Sequence, residues 1–290
     1  MKGFLKFLAV FAGVLLVSAV LAPALHSFLP YGFARIFNRV VMIGAILAVV
    51  IFVRFKKEMF VRFGLDWRKD SLRFFWTGFL TVSTVLAFFT IIQLFAGNAH
   101  LSLRDLSWQK WVAKLVGIIA GGLLIGTLEE FFFRGFVFSS LRDKMFRGSV
   151  PLAMVITSLF YASLHFINIR KPGLSQVPGF MDSLKLIAAP IQSFADWHAV
   201  WPAALGLFLF GMVLNYCVVR TKSLYVSIGV HAGAVIFVRA IGLFVGFMEK
   251  NVLLWSTKKV YDGALGWACL LLVGWILSRF LKKVDSPKAI

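Results

Sequence analysis

The chain has 290 residues, of which 60% are hydrophobic and 15% are charged, and its formal net charge is +19. Soluble globular domains are only about half apolar, so this composition excludes a soluble domain and indicates a polytopic membrane protein. In such a protein the positive charge indicates basic loops beside anionic lipid and follows the positive-inside rule, so we do not expect nucleic acid as a partner. The two cysteines, Cys217 and Cys269, lie far apart in apolar segments and predict neither a disulfide framework nor a cysteine metal motif.

Eight apolar segments are each long enough to cross a bilayer core of about 30 Å, which takes about 20 helical residues. The first has basic residues ahead of it like a signal peptide, but its length and the lack of a clear cleavage site favour a retained helix. The sequence therefore predicts an all-α fold, a bundle of about eight transmembrane helices in one integral membrane domain over residues 1–290. The segments are 4–25, 36–53, 73–96, 112–140, 150–168, 200–218, 223–247 and 264–281.

Lysine and arginine are concentrated between the second and third segments, from Arg54 to Arg73. The positive-inside rule places this connection in the cytoplasm. Alternation of the segments then predicts that both termini are cytoplasmic.

The connection at 169–199 is the longest one and lies on the opposite side. It contains residues that break regular structure, namely Pro172, Gly173, Pro178, Gly179 and Pro190. Apolar residues are interspersed among them, so we expect a lid or a re-entrant element over the outer face.

The fourth segment ends in two carboxylates and an arginine: Glu129, Glu130 and Arg134. A charged side chain at bilayer depth costs a few kcal/mol and usually marks a functional site. On a helix, Glu130 and Arg134 lie on one face, whereas Glu129 is rotated by about 100° from Glu130. We therefore expect Arg134 to neutralise Glu130, as a structural ion pair or as a substrate contact, and Glu129 to be presented elsewhere.

Two histidines, His165 and His231, also lie inside apolar segments. At 1.5 Å per helical residue, Glu129, His165 and His231 lie roughly 17, 22 and 12 Å from the cytoplasmic ends of their segments. Three ionisable groups from three helices are thus predicted to meet near the bilayer centre. Each histidine on its own is also consistent with simple packing, and Arg239 with a side chain that extends to the interface.

Such a cluster suits hydrolysis in two ways. Glu129, His165 and His231 could bind zinc or another divalent metal that activates a water molecule. Alternatively, Glu129 is the general base for a water oriented by His165, and His231 donates a hydrogen bond to the developing oxyanion. No motif for an organic cofactor is present.

These residues resemble the CPBP family, which includes the type II CAAX prenyl endopeptidases and bacteriocin-immunity-like (Abi) membrane proteins. The resemblance covers about residues 110–245 and rests on Glu129-Glu130-x-x-x-Arg134, on Tyr161 four residues before His165, and on His231 after the segment at 221–230. It implies an intramembrane endopeptidase of a bacterial inner (plasma) membrane, in which Glu129 and His165 activate water. His231 is then the oxyanion-side or metal-side histidine, and Glu130 and Arg134 bind substrate or hold the site.

Two positions depart from the family pattern. Tyr161 replaces a phenylalanine, and Val235, four residues after His231, replaces an asparagine that is a proposed oxyanion donor. Either Asn215 or Asn168 replaces this donor, or His231 acts alone.

The sequence therefore predicts an endopeptidase whose partners are the lipid bilayer and a membrane-associated peptide or protein, with or without a lipid attached. Glu130, Arg134, Tyr161 and Asn215 are predicted to support the site or bind substrate. The alternatives are a catalytically silent scaffold or immunity protein and a transporter coupled to protons or ions. The absence of a discernible inverted repeat counts against the transporter.

Overall fold

The computed structural model describes residues 2–53, 57–165, 173–248 and 250–281. In this part of the chain each of the eight predicted segments overlaps a long helix. In chain order the α-helices are α1 (Lys2–His26), α2 (Phe33–Val53), α3 (Lys57–Arg62), α4 (Ser71–Phe95), α5 (Trp108–Glu130), α6 (Val150–His165), α7 (Phe180–Ala195), α8 (Trp197–Thr221), α9 (Tyr225–Ile241), α10 (Val252–Trp255) and α11 (Ala264–Phe280). Two π-helical segments, π1 (Phe131–Phe138) and π2 (Leu141–Met145), follow α5.

The fold is an all-α membrane helix bundle, as predicted. Among the described residues, four helical segments are long and apolar enough to cross a membrane: Ala9–His26, Ser71–Phe95, Trp108–Asp143 and Trp197–Thr221. Three shorter apolar helices are Val150–His165, Tyr225–Ile241 and Ala264–Phe280. The number of crossings, the single domain over 1–290 and the orientation of the termini stay predictions.

The predicted seventh segment, 223–247, was too long. Helix α9 ends at Ile241, and a strand, β2 (Val245–Phe247), follows it. This strand pairs antiparallel with β1 (Ala99–Leu101), with His100 opposite Gly246. The apolar residues after Ile241 therefore form a short ladder that joins the ends of α4 and α9.

Helix α9 packs against α4, α5 and α8. Glycines allow the approach of α5, because a Cβ added at Gly126 would lie 2.8 Å from the backbone nitrogen of Ala232. Real side chains do not tolerate such a contact without a shift of the neighbouring helix. Gly122 and Gly126 thus permit the close packing of α5 on α9, whereas a Cβ at Gly117 would meet none of the described residues.

The connection at 169–199 contains a regular helix, α7, rather than an irregular loop; residues 169–172 lie outside the described part of the chain. Asp182 organises its start, since it accepts hydrogen bonds from the backbone N–H groups of Gly179 (3.0 Å) and Ser175 (3.1 Å) and an ion pair from Lys185 (3.0 Å). The Gly179 amide, with Lys185 and Ser175, holds the pKa of this carboxyl well below its usual range. The Ser183 hydroxyl bonds to the Ala19 carbonyl at 3.0 Å, which fixes α7 on α1.

Candidate active site

The π-helical segment π1 begins directly after Glu130, and all eight of its residues are buried. π-Helical turns are rare in proteins, and those that occur often lie at functional sites. The Phe131-Phe132-Phe133 run packs inside the protein, where Phe131 stacks on Phe60 with ring centroids 5.9 Å apart. π1 thus carries Arg134 into the interior beside the two carboxylates.

Glu130 is the centre of a buried charge network. Its Oε1 lies 3.0 Å from Arg134 Nη1 and 2.8 Å from His231 Nδ1, and the side chains of Glu130 and Arg134 are both 0% exposed. Arg134 also donates to the Gly211 carbonyl of α8 at 3.4 Å. The expected Glu130–Arg134 pair therefore forms, and it also holds the ring of His231.

Glu129 faces away from this pair, as the helix geometry predicts. Its Oε2 lies 3.8 Å from His165 Nε2 and 3.7 Å from His231 Nε2, and its side chain is 21% exposed. Residues from α5, α6 and α9 thus bring one carboxylate and two imidazoles together, as the estimated depths suggested. These gaps are too long for direct hydrogen bonds.

The hydrogen bonds of the two histidines define which atoms face Glu129. His231 Nδ1 lies against a carboxylate, and His165 Nδ1 lies 2.9 Å from the Tyr161 carbonyl. Both partners are acceptors, so both Nδ1 atoms carry a hydrogen. The Nε2 atom is then an acceptor in a neutral ring and a donor in a protonated ring, and both Nε2 atoms face Glu129 Oε2. A water molecule can bridge such gaps because it donates two hydrogen bonds.

Tyr161 is almost fully buried between the two parts of the site. Its ring centroid lies 4.3 Å from that of His165 and 4.5 Å from the Arg134 guanidinium carbon. The ring therefore separates the Glu130–Arg134 pair from His165 and restricts both groups by packing.

Asn215 lies in a different position from the one expected of an oxyanion donor. Its amide donates to the Met154 carbonyl at 3.2 Å and to the Ser158 hydroxyl at 3.0 Å, so it links α8 to α6. Asn168, the other suggested donor, lies outside the described residues.

A cavity of about 640 Å³ contains Glu129, His165 and His231 in its lining. Most of the other lining residues are apolar, and they include Val235 and, from α7, Leu186 and Ile187. Helix α7 is therefore a wall of the site, in the place where a lid was expected. Three arginines, Arg35, Arg39 and Arg239, also line the cavity. Sequence reasoning missed the first two, since no local signal connects the start of α2 with the catalytic helices.

The zinc prediction can be compared with the arrangement of the donor groups. Within the described ranges, no group of three or more His, Cys, Asp or Glu side chains is arranged to hold a metal ion. Zinc binding therefore stays a prediction, and the chemistry below is derived from the chain's own groups.

The comparison with protein families concerns the part of the chain that contains the site. Residues 110–237 match the family model for type II CAAX prenyl endopeptidase Rce1-like proteins. This part of the chain is therefore similar to that family. This confirms the resemblance to the CPBP family. No match was found among curated proteins or solved structures.

The Rce1-like match includes Glu129, Glu130, Arg134, Tyr161, His165, Asn215, His231 and Val235. A family of CAAX endopeptidases implies a protease, and the apolar helices make this an integral membrane protein with a lipid environment. All of α6, α7 and α8, most of α5 and much of α9 fall within the matched residues. Helices α1 and α2, which supply the other cavity walls, lie outside them.

Proposed function

We propose that this protein is an intramembrane endopeptidase that hydrolyses a peptide bond of a membrane-associated peptide, with Glu129 as the general base. The observation that carries the proposal is the convergence of Glu129 Oε2 and the two histidine Nε2 atoms at 3.7–3.8 Å on one side of an apolar cavity. A water molecule bound there has a base, an orienting acceptor and space for a substrate carbonyl beside it.

The reaction begins when Glu129 takes a proton from this water while His165 Nε2 accepts the other hydrogen. The oxygen attacks the scissile carbonyl carbon, and the carbonyl oxygen becomes an oxyanion. Glu129 then returns the proton to the leaving amine, the C–N bond breaks, and the products are a carboxylic acid and an amine.

His231 is the oxyanion donor in this scheme. Its Nδ1–H bonds to the Glu130 carboxylate, which stabilises a protonated ring whose Nε2–H faces the reaction. With His231 protonated, the charges of Glu129, Glu130, Arg134 and His231 sum to zero, which favours burial of the cluster. His165 has a backbone carbonyl at its Nδ1 instead, so it suits the orientation of neutral water.

The substrate proposed from the family match is a peptide of the CAAX type, with an S-linked prenyl group in the apolar cavity. Purified protein in lipid vesicles would be given a fluorogenic S-farnesyl CAAX peptide and the same peptide without the lipid. Glu129→Gln removes the base at nearly constant volume, so we expect cleavage to fall by about 10²–10⁴-fold without loss of thermal stability. Unchanged cleavage by this variant contradicts the assignment of Glu129.

Glu130→Gln is the matched comparison, because it alters the neighbouring carboxylate. It breaks a fully buried ion pair, and we expect the protein to lose about 3–5 kcal/mol of stability as well as activity.

Wild-type protein that binds the peptide without turnover would instead be the silent scaffold. Elemental analysis of wild type and of His165→Ala/His231→Ala tests the zinc prediction, which requires about one zinc per chain that the double variant lacks.

A further inference from the structure

Three arginines at one end of the active-site cavity form a cationic cluster, the arginine rim: Arg35 and Arg39 on α2 and Arg239 on α9. All three are exposed. The Arg35 guanidinium lies 5.9 Å from the Tyr31 ring centroid, and Arg39 Nη1 lies 3.8 Å from the Met42 sulfur. Among the residues that the structure describes, no carboxylate forms an ion pair with any of the three.

The charge of the cavity is unbalanced at this end. Glu129 is the one acidic residue in its described lining, against three arginines, and most other lining residues are apolar. Like charges that share a low-dielectric wall repel each other, so an anion between them is favoured. The guanidinium group binds carboxylates and phosphates through paired hydrogen bonds, which makes these two groups the chemical class that fits.

Helix packing gives the distance between the rim and the catalytic groups. Helices α5 and α9 run antiparallel, with Gly126 beside Ala232 and Gly121 beside Arg239, whose Nη1 lies 3.3 Å from the Cβ position of Gly121. Arg239 is eight residues after His231, and Gly121 is eight residues before Glu129. On both helices this separation is about 12 Å. An extended peptide covers about 12 Å in three to four residues.

We propose that the arginine rim binds the C-terminal carboxylate of the peptide substrate, three to four residues from the scissile bond. The inference rests on the proposed endopeptidase function and names the residues that determine specificity at its leaving-group side. A peptide source is favoured over a lipid phosphate because the rim and Glu129 line one continuous cavity, so a peptide held at Glu129 reaches the arginines.

The test compares two forms of one fluorogenic CAAX peptide, ending in a carboxylate or in a carboxamide, in phosphatidylcholine vesicles. The readout is the ratio of kcat/KM for the two forms. We expect wild type to prefer the carboxylate by about tenfold or more, Arg39→Gln/Arg239→Gln to have a ratio near one, and Arg239→Lys to be intermediate. Arg104→Gln is the control, because Arg104 is exposed but does not line the cavity, and it should keep the wild-type ratio.

Two results overturn the proposal. One is a wild-type ratio near one, and the other is a double variant that keeps the wild-type ratio. If the double variant differs from wild type only in vesicles that contain phosphatidylglycerol, the occupant is a lipid headgroup and the peptide assignment is wrong.

A binding measurement separates this proposal from the endopeptidase proposal. Fluorescence anisotropy with the labelled peptides is carried out on Glu129→Gln protein, with and without Arg39→Gln/Arg239→Gln. A preference for the carboxylate that the arginine substitutions abolish supports the rim even if wild type cleaves neither peptide. Equal binding of both peptides to Glu129→Gln protein contradicts the rim even if cleavage is observed.

Discussion

Glu129 and Glu130 are neighbours in the chain with very different surroundings. Glu130 is fully buried and bound by Arg134 and His231. Glu129 borders the cavity, and its Oε2 has no hydrogen bond to any residue that the structure describes. A buried carboxylate with two cationic or donor partners is held in place. In the proposed mechanism the partly exposed carboxylate exchanges a proton with water, so one carboxylate has a structural role and the other a chemical one.

Val235 is the residue at which one substitution should increase activity. It lies one helical turn after His231 and lines the same cavity. Val235→Asn places an amide N–H donor near the developing oxyanion, so we expect kcat to rise by about tenfold, less than the 10²–10³ attributed to a preorganised donor. Steady-state kinetics on the CAAX peptide provide the measurement.

Val235→Leu is the control, because it keeps an apolar side chain at this position and adds no donor. We expect it to leave kcat at or below the wild-type value. A Val235→Asn enzyme that is no faster than Val235→Leu would show that His231 alone suffices as oxyanion donor.

The relation between Glu130 and Arg134 could be predicted from the sequence because it is a local property of one helix. For His165, His231 and Glu129, the sequence predicts only that the three residues lie at a similar depth in the membrane. The bond between His231 and Glu130 could not be predicted, since it depends on the rotation of α9 about its axis. For the same reason Asn215 was assigned to the site, although its amide faces α6.

At the scale of elements, the distance between Glu129 and His231 is set by the contact between α5 and α9. Gly126→Ala adds a Cβ that lies 2.8 Å from the Ala232 nitrogen, and the helices must separate. We expect a loss of about 1–3 kcal/mol and a fall in kcat/KM of about 10²-fold, the effect of a misplacement near 1 Å. Thermal unfolding in detergent and cleavage kinetics measure the two effects.

Gly117→Ala is the matched control on the same helix. Its Cβ position has open space, and alanine is favoured over glycine in a helix by about 1 kcal/mol. We therefore expect unchanged kinetics and equal or higher stability. Similar kinetics for the two variants would mean that the contact at Gly126 does not position the catalytic groups.

The long helices were predictable because a run of about 20 apolar residues has few alternatives in a membrane. Three features were not. π1 arises where Glu130, Arg134 and a phenylalanine run are packed together, β2 depends on a partner 146 residues earlier in the register of His100 and Gly246, and α7 depends on its contact with α1. Each of these is determined by tertiary contacts that no local pattern encodes.

At the scale of the whole molecule, many large apolar side chains face outward, whereas one oppositely charged pair is fully buried inside the bundle. Large hydrophobic side chains are exposed along the helices, for example Leu16, Leu80 and Phe88, while Glu130 and Arg134 are fully buried. This distribution suits a hydrocarbon solvent, in which exposed apolar side chains are not penalised and buried charges must find partners within the protein.

The orientation of the molecule gives a prediction at this scale. Helix α4 has 25 residues and a length of about 37 Å, so its two ends lie on opposite sides of the bilayer. Arg62, Arg68, Lys69 and Arg73 lie near its start, which predicts that this end is cytoplasmic. Single cysteines at Asp70 and Ser102, both exposed, can be labelled with a membrane-impermeant maleimide in intact cells and in inverted vesicles.

We expect Ser102→Cys to react in intact cells and Asp70→Cys to react only in inverted vesicles. The natural cysteines, Cys217 and Cys269, are buried, and the unsubstituted chain serves as the labelling control. Reversed labelling would place the start of α4 and the basic residues before it outside, contrary to the prediction. Labelling of both positions from the same side would show that α4 does not cross the membrane, because its ends could then not lie 37 Å apart along the bilayer normal.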